Sequence, residues 1–67
     1  MEKEIQRMQR VRLTLEEVPN RKVLKKKFMA IQSLRHGISA RTIEDYLRTL
    51  IDAGKVIEED KFIWSKE

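Results

Sequence analysis

Residues 35–57 read RHGISARTIEDYLRTLIDAGKVI, and the folding of this stretch decides how the rest of the chain is read. Gly37 suits the left-handed backbone that closes a preceding helix, a conformation in which a side chain is strained. Ser39 follows it as an N-cap for a new helix. Ile43, Tyr46, Leu47, Leu50 and Ile51 then recur at helical spacing as one apolar stripe, and Gly54 ends it. The opposite face carries Arg41, Glu44, Asp45 and Arg48, two acids beside two bases. The spacing predicts a helix over about 40–53 with one face in the core and a mixed-charge face outward.

Towards the N-terminus, Ile5, Met8, Val11, Leu15 and Val18 recur at spacings of 3, 3, 4 and 3, which predicts an amphipathic helix over about 2–18. Pro19-Asn20 ends it, because the residue before proline is steered away from helical geometry. Thr14 with Glu17 also fits a capping box, and Val11, Leu13 and Leu15 alternate as in a strand. A break near residue 12 therefore competes with one continuous helix, and the continuous helix is preferred. Asn20 is placed to cap a second helix over about 21–36, with Leu24, Phe28, Ile31 and Leu34, flanked by Val23, as its buried stripe. Ile38, after the Gly37 turn, is expected to point back into the core. Beyond Gly54, Val56-Ile57 and Phe62-Ile63-Trp64 flank an acidic EED and predict a β-hairpin over about 55–65. That turn lacks the Asn-Gly or Gly of the commonest tight hairpins.

A chain of 67 residues without cysteine is one small domain (1–67) held by packing alone, with neither disulfide nor thiolate metal site. Residues 1–36 carry ten Lys/Arg against four Asp/Glu, a net +6, whereas residues 37–67 carry five against seven, a net −2. A basic half points to a polyanionic partner. No apolar run reaches membrane-span length and the N-terminus lacks a signal-peptide core, so a soluble, cytoplasmic protein without membrane contact is expected. Enzymatic chemistry finds little material. His36 is the one imidazole, expected at a helix end against carbonyls or solvent, and it has no cysteine to form a nucleophile–base pair. EED lacks the spaced ligands of a calcium loop, and no glycine-rich phosphate cradle is present. No catalytic residue, metal or cofactor is expected.

The stretch HGISARTIEDYLRTLIDAGKVIEEDKFIWS, residues 36–65, resembles winged helix-turn-helix domains, most of all the short regulators of archaea and of their viruses and plasmids. The resemblance rests on a small turn residue, a Ser/Thr-rich helix start, Tyr-Leu with a Leu three residues on, a Gly, and a ribbon ending in aromatics. It implies a mainly α fold of three helices with a C-terminal two-stranded wing, and the binding of double-stranded DNA, as in a small transcription regulator. The third helix would then be the recognition helix, with Ser39, Ala40, Arg41 and Thr42 at the major groove. Arg41 would take guanine in a bidentate contact, or pair with Asp45 on the surface; Ser39 would touch phosphate or base edges, or only cap. Arg48, on the same face, would reach phosphate or a second base.

Two features depart from the family. Glu44 and Asp45 fall on the face turned to DNA, as acceptors from cytosine or as partners of Arg41 and Arg48. The wing tip is acidic, which moves the expected phosphate clamp to Arg21, Lys22, Lys25 and Lys26, with Arg7, Arg10 and Arg12 of the first helix. Leu13 falls off the first helix's stripe, and a homodimer through that helix is the expected assembly. A protein-docking role through helix 3 and the acidic C-terminal half is the competing reading.

Overall fold

The computed structural model describes residues 2–66, with side chains from Gln6 onward; the expected burial of Ile5 lies outside the described side chains. The elements run α1 (Glu2–Glu17), β1 (Val23–Leu24), α2 (Lys25–His36), α3 (Ala40–Asp52), β2 (Val56–Glu59) and β3 (Phe62–Ser65). The fold is mainly α, with one small antiparallel sheet in the order β1-β3-β2. Among the described residues no helix is long and apolar enough to cross a membrane.

The third helix forms where its signals lie. Gly37 adopts φ 64°, ψ 30° and its N–H bonds Ser33 O. Ser39 caps α3, its side chain accepting from Thr42 N. Ile43, Tyr46, Leu47 and Leu50 are buried, and Ile51 and Ile38 pack partly against them. Lys55 N–H returns to Leu50 O and Gly54, at φ 76°, turns the chain into β2. The first helix is continuous through residue 12: Thr14 is buried and its Oγ1 donates to Arg10 O at 2.8 Å, a bond inside a helix rather than a cap. Met8, expected on the buried stripe, is exposed, while Val11 and Val18 are buried and Leu15 is partly so.

The second helix departs from expectation. Asn20 does not cap it, and Arg21 and Lys22 lie outside it; Val23–Leu24 is a strand instead. Val23 stands opposite Ile63 and Leu24 opposite Phe62, so the hairpin acquires a third strand. Leu24, whose side chain makes no cap, occupies the N-cap position, and the first helical N–H, that of Lys25, bonds Lys61 O at 2.9 Å. A hairpin-tip carbonyl thus satisfies one of the free donors at the start of α2, where no side chain caps. The buried face is correspondingly different: Phe28 and Gln32 are buried, whereas Leu24, Ile31 and Leu34 are exposed.

The hairpin turns on the two residues Asp60-Lys61, since Glu59 pairs with Phe62. Asp60 takes φ 61°, a conformation that Asp tolerates better than most side chains. Alternation along β3 sends Ile63 and Ser65 to the core and leaves Phe62 and Trp64 on the other face.

Beyond its core α2 is tied to α1 through Glu17. His36 Nε2 lies 3.0 Å from Glu17 Oε2, and Arg35 Nη1 lies 3.6 Å from Oε1. His36 therefore bonds a carboxylate 19 residues away rather than a helix-end carbonyl. Burial of Glu17 disfavours its charge, but the hydrogen bonds of His36 and Gln32 and the charges of His36 and Arg35 outweigh this and lower its pKa below the ordinary 4.5. A lowered acid contributes stability above its unfolded pKa and loses it as pH falls through the folded value. Glu17→Gln should therefore lower neutral-pH stability by up to about 1 kcal/mol. In urea titrations the deficit should shrink below the ordinary carboxylate range and vanish once Glu17 is protonated in the folded parent; an unchanged deficit there would refute the ionic origin.

Candidate nucleic-acid interface

Helical periodicity on α3 puts Arg41, Asp45, Arg48 and Asp52 along one exposed stripe, with signs alternating. The Arg41 side chain makes no hydrogen bond or ion pair among the described residues, so the pairing with Asp45 that competed for it is not formed. Asp45 is exposed, and its backbone carbonyl accepts from Thr49 Oγ1 at 3.0 Å. At the N-terminal end of α3, Ala40 is exposed and Ser39 Oγ lies 2.9 Å from Thr42 Oγ1. These two hydroxyls share one proton between them, while Ser39 Oγ also accepts the Thr42 N–H at 3.2 Å. One hydroxyl proton is left to donate outward. Capping and ligand contact by Ser39 are therefore compatible.

Glu44 does not belong to this stripe. Its Oε1 faces Lys25 Nζ at 3.6 Å and Arg48 Nη2 at 4.0 Å. Lys25 in turn donates to Glu58 Oε2 at 2.9 Å. A chain of alternating charge, Arg48–Glu44–Lys25–Glu58, thereby joins α3, the first turn of α2 and β2. The Lys25 side chain is only 22% exposed and has carboxylates on two sides. Such a cation braces the fold and is poorly placed to serve a phosphate. The contact between Glu44 and a 72%-exposed Arg48 adds little stability.

The other expected cations separate into two groups. Arg21 and Lys26 are exposed, and their side chains make no hydrogen bond or ion pair among the described residues. Lys22 places its ammonium 5.1 Å from the centre of the Trp64 ring, beside the sheet. Arg7 crosses from α1 to donate to Thr49 Oγ1 at 3.2 Å, with its guanidinium 5.9 Å from the Tyr46 ring centre. It props α1 against the flank of α3. The Lys25–Glu44–Glu58 cluster and the Arg7–Thr49 bond both escaped the sequence reading. Each spans more than thirty residues, and no local spacing signals it.

No protein-family model matches this chain, nor does any curated protein or solved structure. Among the described residues no three His, Cys, Asp or Glu side chains are grouped to hold a metal ion.

Lys25→Ala would leave Glu44 and Glu58 without their shared cation, and should destabilise the fold by about 1 kcal/mol in urea unfolding. Lys26→Ala, on the open surface, should stay within about 0.5 kcal/mol of the parent. Equal effects of the two substitutions would remove the bracing role of Lys25.

Proposed function

We propose that the chain is a winged helix-turn-helix domain that binds double-stranded DNA, as a small transcription regulator does. The observation that carries the reading is the outer stripe of α3, where Arg41 is exposed and unpartnered beside an N-terminal turn with a hydroxyl proton to spare. The tight turn at Gly37 before α3 and the hairpin directly after it agree with this arrangement. Arg41 takes guanine O6/N7, Ser39 and Thr42 offer a hydroxyl to phosphate or a base edge, and Ala40 lets the helix approach closely. Arg48, Arg21 and Lys26 contact phosphate. Lys25 supports α3 from behind instead. Asp45 penalises any site that offers it no donor, so the lysines and arginines provide affinity while the mixed stripe provides selection.

Three phosphate contacts in each of two copies, about six in all, should make log K fall against log[salt] with a slope of about −5. Arg41→Ala should cost about 1–3 kcal/mol on a selected duplex and little on scrambled DNA. Lys26→Ala should weaken both alike and flatten the salt slope. The competing reading, a module that docks a basic protein through α3 and the acidic C-terminal half, draws on Asp45 and Asp52 in the same stripe. It gains if duplex DNA is not bound even at low salt.

The proposed regulator works as a homodimer through α1. Gln6–Arg10 are all exposed, and Met8 at 61% and Leu13 at 54% are the apolar side chains of α1 that a second copy would cover. A two-fold pair suits half-sites about one helical turn apart. Sedimentation equilibrium should give a dimer that Leu13→Glu or Met8→Glu dissociates; a monomer at high micromolar concentration, with and without duplex, would rule this assembly out.

A further inference from the structure

The apolar residues that α2 withholds from the core gather on its flank away from α3. Ile31 and Leu34, three apart on α2, and Leu24, the strand residue that precedes the helix, are 44%, 88% and 45% exposed. Phe62, directly opposite Leu24 in the sheet, is 37% exposed and extends the surface onto β3. Between helix and sheet lies a recess of about 400 Å³ lined by Pro19, Val23, Leu24, Phe28, Ile31 and Phe62, its only charged walls being Lys22 and Lys27. A second recess of about 730 Å³ adjoins it at the start of α2, bordered by Lys25, Lys26, Lys27 and Lys61 with Asp60 as the one acid. Lys27 stands two residues, roughly 200°, around the helix from Lys25, which faces α3. The recess beside Lys27 therefore looks away from the α3 stripe, and the larger recess runs round the start of α2 to Lys25.

We propose that this groove receives an acidic amphipathic helix from a protein partner. The occupant must fill aliphatic and aromatic positions and also answer a rim of lysines, which an apolar-anchored helix with Glu and Asp on its shoulders does. Packing a second copy here in two-fold fashion would set two lysine rims against each other within a Debye length. Nucleic acid would satisfy the lysines and leave Leu24, Ile31 and Phe62 in water. The recess between Lys22 and Lys27 is separate from the α3 stripe and does not depend on the DNA-binding reading; the adjoining recess shares Lys26 with the proposed phosphate contacts.

The probe is a fluorescein-labelled peptide of about 15 residues with Leu and Phe at i, i+3, i+4 and i+7 and Glu elsewhere, compared with a scramble of identical composition. Anisotropy titrations of the full chain at about 0.1 M salt should give saturable micromolar binding for the patterned peptide. The scramble should bind at least about ten-fold more weakly. Amide shifts in ¹H–¹⁵N spectra should centre on Leu24, Lys27, Ile31 and Phe62 and spare Arg41–Arg48. Ile31→Asn and Lys27→Glu, both at exposed positions, should each weaken binding about ten-fold with otherwise unchanged spectra. Four results would overturn the proposal: equal binding of peptide and scramble, shifts centred on α3, no saturable binding up to about 1 mM, or self-association that Ile31→Asn abolishes. So would anionic phosphatidylserine vesicles that shift the same residues and are not displaced by the peptide.

Discussion

Leu47 has no exposure to solvent because α1, α2 and β2 all converge on the helix that carries it. Ile43, Tyr46 and Leu50 stand beside it, and Val11 and Val18 from the α1 side, Phe28 from α2, and Val56 and Ile63 from the sheet complete the cluster. Truncating a buried leucine costs about 2–5 kcal/mol, a large share of what a domain of this size possesses. With so few buried side chains, any element that loses its grip on α3 loses most of its own reason to fold. The packing of one helix face is therefore the condition for everything else, including the orientation of the opposite face.

That dependence explains why α3 and the Gly37 end of α2 are readable in the sequence, and the start and buried face of α2 are not. For α3, the Gly37 turn, the Ser39 cap and the apolar period all lie within twenty residues and agree with one another. The start of α2 is decided far away. Asn20 is a good cap in isolation, but Val23 and Leu24 have partners in Ile63 and Phe62, and the Lys61 carbonyl supplies what a cap would have supplied. A two-residue strand has no period of its own to detect. The exposed Leu24, Ile31 and Leu34 fit a helical stripe as well as buried residues do, because spacing reports which side chains share a face and not what that face meets.

The charged residues divide in the same way. Their placement along α3 followed from helical geometry, so Arg41, Asp45 and Arg48 could be set on one face from sequence alone. Which acid would stay on that face could not. Glu44 and Asp45 are neighbours in sequence, yet about 100° of helical rotation separates them. That difference carries Glu44 to Lys25 and leaves Asp45 in the open. The two acids that first looked equivalent therefore do different work. Glu44 joins α3 to the first turn of α2, and Asp45 stays with Asp52 on the exposed stripe.

Lys25 makes α2 a divider between two surfaces. On one flank its ion pairs with Glu44 and Glu58 turn a nominally basic segment inward and neutralise it. On the other, Lys22 and Lys27 border a recess in which Leu24, Ile31 and Phe62 stay exposed. A surface helix that buries Phe28 and Gln32 while exposing Ile31 and Leu34 inverts the usual arrangement, in which apolar area goes inward first. In a domain this short of core the inversion leaves stabilising area unused and adds a risk of aggregation. The lysines limit that risk, because like charges keep two such faces apart, and the same lysines select an acidic helix as the partner that can cover it.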